Sequence, residues 1–178
     1  MPKTPEKLKI ALIGAGSATF SPATIKDIML SDIVNQVPLE LALMDLAEEP
    51  LLKRERFANE LARGLGRNVR VTATTSLERA VEGADFVITA IEFRRFHYWS
   101  QDFHIPRRYG FRQIFGENGG PGGMFHTLRN LGPMLEIAHA MERLCPDAWM
   151  INYTNPEAKL CEGISKLSKI KVVGLCHG

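Results

Sequence analysis

Four places in the sequence carry residue types that do chemistry: Gly14-Ala15-Gly16-Ser17, Asp45, Asn152-Tyr153-Thr154-Asn155 and Cys176-His177. Glycines two apart after an apolar run permit a tight turn and close backbone approach. If a helix follows, its first N–H groups and partial positive charge suit a dinucleotide pyrophosphate. Thr19 stands where G-x-G-x-x-G would have its third glycine, which predicts a different seating of that helix on the strand. Asp45 closes the apolar run 39–44, the position from which a carboxylate accepts hydrogen bonds from adenosine ribose hydroxyls and repels a 2′-phosphate, selecting NAD over NADP. Its interval from the glycines exceeds the usual about 20 residues, and a looped insertion around 32–38 absorbs the excess. Asn152 and Asn155 offer donor and acceptor to a nicotinamide or a sugar hydroxyl, while Asn155-Pro156 reads equally well as an ordinary turn. Cys176 and His177 are good metal or acid-base groups, yet two residues do not complete a metal site.

These residues need strands that end beside them. Apolar, partly β-branched runs predict strands at 9–13, 39–44, 69–73, 84–91, 149–153 and 171–175. Helical spacing fills the intervals: 22–30, with Ser21 as N-cap and Pro22 at the first position; 48–65, with a charged solvated face; and 76–81, 93–109 and 157–167. His97 and His104 fall on roughly one face of the 93–109 helix, but not at chelating i, i+4 spacing, and read as surface or packing residues. The run 116–123, GENGGPGG, predicts an irregular flexible loop, either a cover for a substrate or a plain connection. Gly132-Pro133 predicts a kink or split in the long helix that follows. Strands alternating with helices imply an α/β, Rossmann-like doubly wound parallel sheet in the order 3-2-1-4-5-6. The loop after Ala90 then lies at the switch point where ligands bind.

With 178 residues there is room for one well-buried domain, 1–178. The 22 lysines and arginines face 20 aspartates and glutamates and are scattered, so no basic stripe follows a nucleic acid; the expected partner is a small molecule. No apolar run reaches the roughly 20 residues of a membrane span, and the polar MPKTPEKLK start lacks a signal-peptide core, so no membrane and a cytoplasmic location are expected. Three irregularly spaced cysteines argue against a disulfide framework.

Taken in order, GAGS in the first turn, an Asp ending the second strand, GGPGG before a long helix, NYTNP after the fifth strand and CHG after the sixth strongly resemble the amino-terminal domain of glycoside hydrolase family 4. The resemblance extends over essentially the whole chain. It implies an α-glycosidase that removes hydride from C3 of the sugar onto NAD, deprotonates C2, eliminates the glycosidic oxygen, adds water and returns the hydride. A divalent metal, usually manganese, polarises the C2 and C3 oxygens. The resemblance makes Gly14, Gly16, Ser17 and Asp45 cofactor residues, Asn155 a sugar contact, Cys176 the metal thiolate, and His177 the acid-base or substrate contact. CHG points away from phosphorylated sugars and toward α-glucosides, α-galactosides or α-glucuronides. The resemblance also implies a longer protein, homo-oligomeric at full length. A histidine metal ligand and a tyrosine base for C2 lie beyond residue 178 there, so this chain alone is expected to be inactive.

Two rival readings remain at this level: a lactate/malate-type dehydrogenase, against which NYTNP and GGPGG weigh, and a non-catalytic NAD-binding module. Net NADH formation from a hydroxy acid marks the first, and absence of metal-dependent glycoside cleavage the second.

Overall fold

A computed structural model describes residues 6–176. Six strands, β1 (Leu8–Ile13), β2 (Leu39–Met44), β3 (Val69–Thr74), β4 (Phe86–Thr89), β5 (Trp149–Asn152) and β6 (Lys171–Gly174), form one sheet in the order β3-β2-β1-β4-β5-β6. Every pairing is parallel. Six helices connect them: α1 (Phe20–Leu30), α2 (Glu48–Gly64), α3 (Leu77–Val81), α4 (Arg95–Arg108), α5 (Gly120–Leu144) and α6 (Glu157–Leu167). The expected order is therefore the observed one, and all six strands end at the same edge.

Side-chain alternation along β1 divides the core. Ile10 and Leu12 pack with Ile25 and Met29 of α1 and Leu51 and Ala58 of α2. Ala11 and Ile13 pack on the opposite face with Ala80 of α3, Met134, Ile137 and Met141 of α5, and Leu160 and Ile164 of α6. Burial on both faces is what turns central strands into continuous apolar runs. The 32–38 insertion contains a 3₁₀ turn, Val34–Gln36. Asn35 Nδ2 donates to the Ile28 and Ser31 carbonyls at the end of α1, and Arg67 binds the Met29 carbonyl and Asp32. The added length before Asp45 is thus ordered by carbonyl capping of α1.

Three local expectations need correction. Helix α1 starts at Phe20, not Pro22; Ser17 Oγ accepts from Phe20 N at 3.1 Å, while Ser21, fully buried, reaches the Gly14 carbonyl at 3.3 Å. Pro22 is accommodated because the first-turn N–H groups have no intrahelical partner to lose. Of the expected irregular run 116–123, only 116–119 is irregular, and Gly120 to Gly123 open α5. Gly119 is the N-cap of α5, and a Cβ on Gly122 would collide with the Asp102 carbonyl and lie 2.7 Å from that of Gly116, so the glycines let the start of α5 press on α4. Finally, Gly132-Pro133 does not split the long helix: α5 runs through it as one helix of 25 residues. Met134, Ile137, Ala138 and Met141, all buried, hold its second half to the sheet and override the local proline preference.

Leu12, with no exposed surface at the centre of β1, sets the scale of this core. Leu12→Ala should lower unfolding free energy by about 2–5 kcal/mol in urea titrations. Leu46→Ala, at a residue 76% exposed, should stay within about 0.5 kcal/mol of the parent.

Candidate functional site

The turn after β1 is built by close approaches that only glycine allows. Gly14 has φ +90, and a Cβ there would run into the Ala90 carbonyl. A Cβ on Gly16 would lie 2.8 Å from the Asp45 carboxylate carbon. Gly14 N and Ala15 N both donate to the Met44 carbonyl at 2.9 Å, Gly16 N donates to Asp45 Oδ2 at 2.8 Å, and Ser17 N donates to the Gly14 carbonyl at 3.3 Å. Among the described residues this leaves the exposed N–H groups of Ala18 and Thr19 uncommitted at the start of α1. That helix end fits an anion by donor type and by dipole.

Asp45 is engaged with the protein itself. Oδ2 accepts from Gly16 N and Oδ1 from Ala47 N at 2.9 Å, so the carboxylate braces the turn while each oxygen keeps a further lone pair. Arg54 of α2, unmarked in the sequence beyond its charge, donates from Nε to the Ser17 carbonyl at 3.0 Å and brings a guanidinium to the turn.

Across the switch point the two asparagines separate. Asn152 is fully buried: Oδ1 accepts from Thr89 Oγ1 at 3.0 Å and Thr154 N at 2.9 Å, and Nδ2 donates to the Thr154 carbonyl at 3.1 Å. It is a strand-end lock. Asn155, half-buried, keeps its carboxamide uncommitted among the described residues, while its carbonyl accepts from Asn130 Nδ2 at 3.3 Å. Thr154 Oγ1 accepts from Ile91 N at 3.0 Å and ties this loop to the one after β4. Cys176 is exposed just past β6, a free thiol and not a core residue. His177 lies outside the described residues. No group of three or more metal-ligating side chains occurs among the described residues.

The structure adds a cluster that sequence patterning missed. His126 on α5 has no exposed surface, and its Nδ1 is 3.0 Å from Asp102 Oδ2 on α4. Arg129 grips the same carboxylate with two bonds, 2.9 and 3.0 Å, and its guanidinium lies over the Tyr98 ring. His126 Nε2 faces Glu92 Oε1 at 3.5 Å, Arg95 pairs with Glu92 at 3.3 Å, and Trp99 Nε1 donates to buried Glu117. Burial pulls the His126 pKa down, but the Glu92 and Asp102 carboxylates that face its two nitrogens outweigh this and leave it raised. Glu117 and Asn118 line a cavity of about 340 Å³ with Gly119, Met124, Pro156 and Lys159, adjoining the asparagine loop. The available signals were an acid inside an amphipathic helix (Asp102) and a His–Arg pair three apart on another (126 and 129). His97 and His104 are exposed, as expected.

A doubly wound parallel sheet with a glycine turn after β1 and an acid after β2 defines a Rossmann-like α/β domain. A lactate dehydrogenase from Eimeria maxima, at 17% identity and TM-score 0.67 over 98% of this chain and 45% of its own, shares that fold alone. The sequence model described as Family 4 glycosyl hydrolase matches residues 9–178, and the chain belongs to that family. An alpha-glucosidase from Erwinia rhapontici is 40% identical over 95% of this chain, and an alpha-galactosidase from Bacillus subtilis 36% identical over 95%. A 6-phospho-alpha-glucosidase from gut microorganisms, solved with NAD and Mn²⁺, superposes with TM-score 0.81 at 26% identity over 96% of this chain and 38% of its own. The chain spans 37% and 39% of the two curated relatives' lengths.

The raised pKa of His126 has a consequence for stability. A group protonated more tightly in the folded than the unfolded state stabilises fully below the unfolded value, near 6.5, and loses that contribution as pH rises through the folded value. Urea midpoints should therefore fall as pH is raised above neutrality, and His126→Gln should flatten that fall.

Proposed function

We propose that this chain is the NAD-binding part of an α-glycosidase that cleaves by transient oxidation at C3 of the sugar, deprotonation at C2, elimination and addition of water. One observation carries the reading: Gly14–Ser17, Asp45, Asn155 and Cys176 follow β1, β2, β5 and β6 respectively, so every described candidate stands at the carboxyl edge of one parallel sheet. That edge is where open α/β sheets bind ligands.

In this reading the N–H groups of Ala18 and Thr19 and the positive end of α1 take the pyrophosphate, with the Arg54 guanidinium beside the turn. Asp45 accepts from the adenosine ribose hydroxyls with the lone pairs left by Gly16 and Ala47. Asn155 orients the sugar, Cys176 supplies a thiolate to the metal, and His177 serves as acid-base or substrate contact. When bound, NAD takes and returns the C3 hydride and manganese polarises the C2 and C3 oxygens. The Cys-His-Gly run after β6 and the likeness to an alpha-glucosidase and an alpha-galactosidase support an unphosphorylated α-glycoside. At full length the enzyme is a cytoplasmic homo-oligomer in this proposal.

Calorimetric titration of the chain should give tighter binding of NAD than of NADP, and Asp45→Asn should narrow the gap. Equal affinities for the parent would remove the ribose role of Asp45. Joined to the carboxy-terminal region of the Erwinia rhapontici relative, the chain should cleave aryl α-glycosides when given NAD, Mn²⁺ and a reductant. Cys176→Ser in that chimera should weaken both Mn²⁺ binding, read by electron spin resonance, and turnover by roughly tenfold to a hundredfold. Undiminished binding and turnover would return Cys176 to an ordinary surface thiol.

A further inference from the structure

The row Glu92–His126–Asp102 is left without a task by the cofactor turn, and a neutral imidazole can meet only one of its two carboxylates with a proton: with Nε2–H toward Glu92, Nδ1 could accept from Arg129 Nη1 at 3.4 Å but would face Asp102 Oδ2 at 3.0 Å acceptor to acceptor. With Nδ1–H on Asp102 at 3.0 Å, a neutral ring would aim the Nε2 lone pair at the Glu92 carboxylate 3.5 Å away, acceptor against acceptor. Nε2 is buried without a hydrogen-bond partner. An imidazolium donates at both nitrogens and removes the conflict.

Charge balance points the same way. Helix α4 contributes Arg95 and Asp102, the segment before α5 contributes Glu117, α5 contributes Arg129, and the loop after β4 contributes Glu92. Tyr98 and Asn130 add an aromatic face and an amide without charge. Two guanidiniums thus oppose three carboxylates, two of them, Asp102 and Glu117, at 5% and 6% exposure. A protonated His126 closes the balance, and an unpaired charge in such a place is costly.

Glu92 in turn stands beside the proposed cofactor site. Ala90 N donates to the Ile13 carbonyl at 3.0 Å, and a Cβ on Gly14 would lie 3.4 Å from Ile91 Cγ2, so the chain leading into Glu92 lies against the glycine turn. Glu92 is the one member of the row that reaches solvent, with its side chain 24% exposed.

We propose that His126 is a positioning residue of this site: fixed by Asp102, its imidazolium holds the Glu92 carboxylate against α5 and away from an incoming dinucleotide, making NAD affinity proton-dependent. The inference rests on the NAD reading above. When His126 loses its proton, Glu92 faces a lone pair and an excess of negative charge and keeps only Arg95, which is itself half-exposed. Its carboxylate then turns outward at the crevice rim, where it opposes the anionic pyrophosphate.

Calorimetric titration of NAD into the chain from roughly pH 6 to pH 9 at constant ionic strength tests this. The dissociation constant of the parent should rise by roughly threefold to tenfold across the range, the equivalent of half to one unit of linked pKa shift. Glu92→Gln and His126→Gln should both flatten that slope. Glu92→Gln should hold NAD at about the parent's low-pH affinity throughout, a change that a purely structural role for His126 would not produce. A flat parent profile, or an unaltered slope in Glu92→Gln, overturns the inference while leaving NAD binding in place. Absence of NAD binding at every pH overturns the cofactor reading, and this inference with it.

Discussion

Parallel pairing on both sides of β1 is the constraint from which the rest of this molecule follows. β1 bonds to β2 along one edge and β4 along the other, with each of its faces covered by helices. The chain can leave such a strand only over its carboxyl end, through a turn with almost no room. Both neighbours crowd that turn: the Met44 carbonyl and Asp45 carboxylate from one side, the Ala90 carbonyl from the other. The glycines at 14 and 16 therefore answer first to the protein's own packing. The open face of the turn, at Ala18 and Thr19, is what packing leaves over, and it is the face with donors to spare.

Asp45 joins two demands that would otherwise compete. As a brace it fixes the Gly16 N–H in place; as a carboxylate at the end of β2 it keeps a further lone pair on each oxygen. A carboxylate held by two backbone donors has little freedom to reorient, which lowers the cost of ordering it around a ligand. The same economy appears at the far strands. Asn152 spends its whole carboxamide on Thr89, Thr154 and Cys161, and Thr154 then anchors Ile91. Asn155 is thereby presented on a rigid loop.

Helices α4 and α5 are joined differently from the rest of the fold. Elsewhere layers meet through aliphatic side chains, whereas here they meet through Asp102, His126 and Arg129, with the Gly122 backbone pressed on α4. An ionic seam costs desolvation and repays it only when each partner is present, so it confers geometry more than stability. Its position, bordering both Glu92 and the cavity at Glu117 and Pro156, puts that geometry next to the crevice.

The six strands and their order were legible because each strand is a short apolar run between glycine or polar breaks, and alternation with helices leaves few ways to wind the sheet. The placement of Asp45, Asn155 and Cys176 at strand ends was legible for the same reason, since a residue there has its location set by the strand. The start of α1, the rigid GGPGG helix entrance and the unbroken α5 were not, because each depends on a backbone or core contact distant in sequence: Ser17 and Gly14 with the first turn, Gly122 with Asp102, Met134 with the sheet. The division of labour between Asn152 and Asn155 was likewise invisible, as two identical carboxamides differ only in which neighbours reach them. Glu92, Asp102 and His126 lie up to 34 residues apart, and no local pattern links them. Only the packing of α4 on α5 brings a carboxylate to each side of one imidazole, where their charges favour a proton on that ring against the effect of burial.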